Sequence, residues 1–168
     1  RNEKTPAGPR PPPSTSYVEA LSKVYGSRGA HSSRKVLSLF SGPYERKDGL
    51  AAYLHAVGIT TGQVDNDRRW GDTKHDILKD DFFQSLIRRV AMGEFLCIMA
   101  APPCSTFSVS RFFHSDDSKD GGPPPVRTRA QILGLHNVPA AHKRELEEAN
   151  EIVRRLCIVL HVARGAGT

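Results

Sequence analysis

Cys104 stands directly behind an apolar run and two prolines, in the stretch Phe95-Leu96-Cys97-Ile98-Met99-Ala100-Ala101-Pro102-Pro103-Cys104-Ser105-Thr106-Phe107-Ser108. An unbroken apolar run of this length reads as a buried strand covered on both faces, and Pro102-Pro103 must end it because proline cannot continue a sheet ladder. The thiol is then presented at a strand's carboxyl end, where open α/β sheets bind their ligands. Flanked by small hydroxyl residues and one aromatic, it is placed to act as a nucleophile. Taken in order, the strand tips carry further polar chemistry: Phe40-Ser41-Gly42, then Asp65, then Asp76 in the loop His75-Asp76-Ile77. Gly42 permits a tight turn and close backbone approach to a ligand, and Asp65 follows at about the 20-residue spacing of a carboxylate that accepts ribose hydroxyls. Pro43 and Tyr44 occupy the place of a second glycine, so a pyrophosphate cradle is not indicated and an adenosine ligand without phosphates fits better.

Each of these residues also has a plainer role open to it. Asp65 lies in Asp65-Asn66-Asp67, a common turn composition, and Asp76 can cap a helix beginning near Leu78. Cys97 and Cys157 lie in apolar segments and are expected to be structural, because free cysteine packs as a small hydrophobe. Arg127 and Arg129 are either solvated loop charges or phosphate contacts. His75, His114, His136, His142 and His161 show no metal-ligand spacing, so no metal site is expected.

The elements that must position these groups alternate strand and helix from Lys35 onward, which predicts an α/β fold with a doubly wound, mostly parallel sheet and right-handed crossovers. Val36–Phe40 reads as the first strand, Leu50–Val57 as a helix that Gly58 ends, and Ile59–Val64 as the second strand. Phe82–Met92 carries a helical apolar stripe, and the run before Pro102 is the third strand. Residues 111–141, centred on Gly121-Gly122-Pro123-Pro124-Pro125, read as a long functional loop. His142–Arg164 is the longest helix, with Leu146, Ala149, Ile152, Val153, Leu156, Val159, Leu160 and Ala163 on its buried side. A doubly wound sheet places another strand after such a helix, so the sheet is expected to be incomplete at its C-terminus and finished by a further segment or subunit.

Length and composition are those of one soluble domain: 168 residues, 38% hydrophobic and 25% charged. The formal charge of +6 is concentrated at the start, where residues 1–35 hold seven Lys/Arg against two acidic residues. Residues 1–34 therefore form a basic, Pro-rich arm, expected to be partly disordered with one short helix over Tyr17–Tyr25, and suited to a polyanion such as nucleic acid. Three cysteines without close spacing indicate neither a disulfide framework nor a zinc knuckle, which fits a reducing, intracellular setting. No apolar stretch approaches the ~20 residues of a membrane span.

Taken together, residues Val36 to Ser110 and, more loosely, the trailing helix resemble the DNA cytosine-5 methyltransferases, whose cofactor is S-adenosylmethionine. Leu37-Ser38-Leu39-Phe40-Ser41-Gly42 is similar to the family's Phe-x-Gly-x-Gly motif without its second glycine. Asp65 takes the place of the ribose-binding acid, Asn66 that of an adenine-packing residue, and His75-Asp76-Ile77 is similar to the Gly-Asp-Ile that contacts the adenine edge. Pro102-Pro103-Cys104-Ser105-Thr106-Phe107-Ser108 resembles Pro-Pro-Cys-Gln-x-Phe-Ser, with Ser105 for Gln. The resemblance implies a Rossmann-like methyltransferase fold with Phe40, Ser41, Gly42, Asp65, Asn66, Asp76, Ile77 and Pro102 at the cofactor. It implies Cys104 as nucleophile toward C6 of a flipped cytosine. Ser105, Ser108, Arg111, Arg127 and Arg129 would contact the nucleic acid, on a loop that closes over it. The family's Glu-Asn-Val strand and target-recognition domain have no counterpart here, so the alternative is a non-catalytic relic of such a domain, a structural or nucleic-acid-binding module in a larger assembly. A nucleotide-dependent dehydrogenase, a third class sharing the fold expectation, has no use for a Pro-Pro-Cys strand exit.

Overall fold

Among the described residues, three short strands and three helices follow one another, in strict alternation up to the third strand. The computed structural model describes residues 35–44, 46–67, 69, 75–112 and 122–168. The expected basic arm 1–34 with its Tyr17–Tyr25 helix lies outside these residues, as do His114 and Gly121. In chain order the elements are β1 (Lys35–Leu39), α1 (Leu50–Ala56), β2 (Thr60–Val64), α2 (Asp80–Ala91), β3 (Cys97–Ala100) and α3 (Ala140–Ala166), with a 3-10 turn at Val109–Phe112.

β1 is central, in the order β2-β1-β3, and both pairings are parallel. The sequence suits that place: Val36, Leu37, Ser38 and Leu39 are all buried, as a strand covered on both faces requires. The register sets Leu37 beside Gly62 and Ile98, and Leu39 beside Val64 and Ala100. On the opposite face Val36 adjoins Thr61 and Cys97, and Ser38 adjoins Gln63 and Met99. The chain steps from β1 to β2 on one side, then crosses back over β1 to β3 on the other. Right-handed crossovers in opposite directions place α1 and α2 on opposite faces. The result is a small, open, all-parallel α/β sheet, compatible with a Rossmann-like winding.

α2 buries Phe83, Leu86, Ile87 and Val90, a stripe at helical spacing, with Asp80 and Asp81 in its first turn and Arg88 and Arg89 in its last, where they complement the helix dipole. Leu37 and Leu39 of β1 meet this stripe, Phe95 and the inner side of α3 in one core. Gly58, at φ +76°, ends α1 as the sequence predicts, its N–H on the His55 carbonyl and that of Ile59 on the Leu54 carbonyl. Charged side chains fasten the layers. Arg155 of α3 donates to the Ile77 carbonyl at 3.1 Å and to Glu151 at 2.7 Å, pairs with Asp80, and lies over the Phe83 ring at 4.8 Å. Glu94 accepts from Lys35 at 2.9 Å and from Arg89 at 2.6 Å, tying the start of β1 to the end of α2.

Several expectations are corrected. β3 is not covered on both faces: Leu96 and Met99 are 45% and 44% exposed, and Cys97 is exposed too. It lies at the edge of the sheet, paired to β1 alone, so the apolar run reflects an edge strand of which Phe95 and Ile98 pack on the core. Cys157 is likewise exposed, on the outer side of α3, so neither it nor Cys97 is a core residue. α3 begins at Ala140 and runs for 27 residues, with Leu160 turned outward at 45% exposure and Arg155 buried among the apolar side chains.

Candidate functional site

The end of the β3 ladder is set by hydrogen-bond chemistry. Ala101 N–H donates to the Leu39 carbonyl at 3.1 Å, and the next two residues, Pro102 and Pro103, have no N–H to offer. Cys104 follows with its thiol exposed, and its carbonyl accepts from Phe107 N–H at 2.9 Å, so it opens a turn instead of continuing the strand. On the other side of β1, Phe40 N–H donates to the Val64 carbonyl at 2.6 Å. The chain therefore leaves β1 between its two neighbours, at the point where the winding reverses, and this is where open α/β sheets form their ligand crevice.

A cleft of about 380 Å³ opens there, lined by Phe40, Gly42, Asp65, Asn66, Asp67, Ala101 and Pro103. Phe40 sits at φ 60°, the left-handed region, which costs a non-glycine residue roughly 1–2 kcal/mol and tends to be retained at functional turns. Two residues on, Gly42 has φ +71°, and a β-carbon there would meet nothing within 4 Å, so the backbone borders open space. Asp65 is 6% exposed and binds this turn directly: one carboxylate oxygen accepts from Gly42 N–H at 2.7 Å, the other from Asp67 N–H at 2.8 Å. Each oxygen keeps a lone pair for a further donor such as a ribose hydroxyl. Asp67 is chelated by Arg69, whose hydrogen bonds hold its carboxyl down at about 2.

Of the sequence-predicted cofactor residues, the structure brings Phe40, Gly42, Asp65 and Asn66 to one cleft, with Ser41 on the same turn. Pro102 is half-buried beside it, while its neighbours Ala101 and Pro103 form the wall. Asp76 neither joins the cleft nor caps a helix: its carboxylate accepts from Leu78 N–H at 2.9 Å in the turn before α2, which begins at Asp80 with Lys79 as its N-cap. Ile77 is a core residue, 1% exposed, and its carbonyl serves Arg155. Neither lines the cleft. His75 instead accepts or donates at Tyr44 Oη, 2.8 Å away, so the loop after β1 is tied to the start of α2.

The residues expected to face nucleic acid divide sharply. Arg111 is 5% exposed, donating to the Ser105 and Pro124 carbonyls at 2.6 and 3.2 Å and pairing with Glu145 at 2.6 Å. Burial works to raise the Glu145 pKa, but hydrogen bonds from Arg111 and Ser105 outweigh it, and the carboxyl is held below its ordinary value. Arg127 is 6% exposed and donates to Thr106 Oγ1, the Ile132 carbonyl and Asn150 Oδ1. Both arginines are thus internal struts that tie the turn after Cys104 to residues 124–132 and to α3, and their guanidinium groups do not face solvent as a lid's phosphate contacts would. Ser108 hydrogen-bonds Ser110, Ser105 is exposed, and Arg129 is exposed. Sequence reasoning missed Asp67, Ala101 and Pro103. Each neighbours a residue it did pick, and the signal was the turn itself, since backbone at a strand tip lines the crevice whatever its side chain. No group of His, Cys, Asp and Glu capable of holding a metal occurs among the described residues, nor any helix long and apolar enough to cross a membrane. No protein-family model, curated protein or solved structure matches the chain.

Proposed function

We propose that the chain is the cofactor-and-nucleophile portion of an S-adenosylmethionine-dependent DNA cytosine-C5 methyltransferase of Rossmann-like fold. The observation that carries this reading is the cleft at the reversal of the winding, walled by the Gly42 turn, Asp65 and Pro103, with the exposed Cys104 thiol on the very next residue. The residues suit an adenosyl group. Asp65 offers free lone pairs, the space beside Gly42 admits a ring or sugar, and Pro43 and Tyr44 stand where a dinucleotide turn would carry its second glycine. The bound cofactor would supply an electrophilic methyl group.

The protein's own contribution is covalent. Addition of the Cys104 thiolate to C6 of an extruded cytosine pushes electron density onto C5, making that poor nucleophile reactive toward an electrophile. Loss of the C5 proton to a base then expels the Cys104 sulfur and restores the aromatic ring. In DNA carrying 5-fluorocytosine the C5 substituent cannot leave as a proton, so the adduct persists. The full chain is expected to yield a denaturation-resistant complex with such DNA in the presence of cofactor, and Cys104→Ser none. A complex that survives this substitution excludes Cys104 as the nucleophile. If the chain neither traps DNA nor binds the cofactor product, the non-catalytic module is the correct reading.

A further inference from the structure

Behind the Cys104 turn lies a second groove, of about 550 Å³, that shares no lining residue with the strand-tip cleft. Phe107, Val109, Phe112, Arg127, Arg129 and Ile132 form most of its wall. Its apolar members are half exposed or more: Phe107 48%, Phe112 53%, Val109 64% and Ile132 65%. Apolar side chains gathered in one concavity at this exposure mark a binding surface more than chance scatter.

The charges around the groove are one-sided. Arg111 is neutralised by Glu145, but Arg127 hydrogen-bonds only neutral oxygens, and Arg129 has no carboxylate partner among the described residues. The Arg127 guanidinium lies 3.9 Å from the centre of the Phe107 ring, stiffening it as a platform while leaving about half of it open. Burial, with the nearby Arg111 charge, lowers the Arg127 pKa, as expected of a cation without a counter-charge. The matching ligand is a flat ring joined to an anion.

We propose that this groove binds an unpaired nucleobase, stacked on Phe107 and Phe112 with its phosphate on Arg129, so that the protein engages single-stranded nucleic acid there. Bases inside a duplex are already stacked and cannot enter a groove lined by rings, whereas every unpaired base presents a free π-face. Two rings beside an arginine without a carboxylate partner match a nucleotide strand, in which every unit carries both a flat ring and a phosphate. The site requires neither the cofactor nor Cys104, and therefore stands or falls apart from methyl transfer.

Fluorescence anisotropy with the full chain tests it, using a labelled oligothymidine, the same oligomer with abasic positions, its duplex with oligoadenosine, and oligouridine. The oligothymidine, the oligouridine or both should bind more tightly than the duplex, a preference between them assigning DNA or RNA. Abasic positions should weaken binding, and Phe112→Ala should weaken it about five- to a hundredfold. Arg129→Gln should lower the salt dependence of affinity by about one phosphate contact. Both positions are exposed, so neither variant should change the melting temperature or the affinity for S-adenosylhomocysteine. Equal affinity for duplex and single strand, indifference to abasic positions, an unchanged Phe112→Ala variant, or tight binding of an acidic aromatic peptide without oligonucleotide binding would each overturn the proposal.

Discussion

Asp65 carries more of the local architecture than its position in a turn-like triplet suggests. Its two oxygens bind the backbone on either side of the cleft, at Gly42 and at Asp67. Asp65→Asn replaces one acceptor oxygen with a donor, which must then face an N–H. With this residue 6% exposed, the substitution should cost about 1–3 kcal/mol, read as a lower urea midpoint with unchanged slope. Gly42→Ala introduces no clash but forces alanine into φ +71°, for about 1–2 kcal/mol, and sets a methyl group in the open cleft. A urea denaturation that shows no loss for either variant would mean the turn is held by something else.

Among the elements, α3 and its arginines decide how the groove and the core are joined. Arg155→Met keeps the apolar stem but removes the guanidinium from the Ile77 carbonyl, Asp80 and Glu151; loss of these bonds should lower stability by about 2 kcal/mol in thermal or urea unfolding. The helix itself was legible in the sequence because its apolar positions recur at helical spacing. That Arg155 would sit inside while Leu160 turns out was not, since periodicity marks a face and not which of its residues find hydrogen-bonding partners. β3 shows the complementary limit. An apolar run identifies a strand, but its burial depends on neighbours, and only Phe95 and Ile98 meet the core. For Arg111 and Arg127, adjacency to a loop suggested solvent. Beside the nearby Ser105 and Ile132 carbonyls, they are held by the Pro124 carbonyl, the Glu145 carboxylate, the Thr106 hydroxyl and the Asn150 amide oxygen, 13 to 34 positions away, contacts that no local pattern encodes. The placement of Gly42, Asp65 and Cys104 at strand tips was readable because alternation of strand and helix, together with Pro102-Pro103, fixes where each strand must stop; Asp76, read with them, lies instead in the turn before α2.

At the scale of the whole molecule, carboxylates paired between elements, as Glu94 is, or along one helix, as Glu151 is, have their ionisation stabilised by folding. Arg89, with Lys35, holds Glu94 at about 2 against an ordinary value of 4.5, and Arg154, with Arg155, does the same to Glu151. A depressed folded-state pKa contributes stability that is fully present above the unfolded value and lost as pH falls through the folded one. Thermal melts followed by circular dichroism should therefore show stability falling as pH drops from about 4.5 to 2, with a shallower fall in Glu94→Gln. A Glu94→Gln profile parallel to that of the unaltered protein would contradict this assignment. The same whole-molecule winding, with β2 and β3 on opposite sides of β1, creates the cleft on which the functional reading depends. The most direct test is calorimetric titration of the full chain with S-adenosylhomocysteine. Saturable binding is predicted, weakened at least tenfold by Gly42→Ala while Phe112→Ala leaves it unchanged; no measurable heat of binding to the folded, unaltered chain would contradict the account.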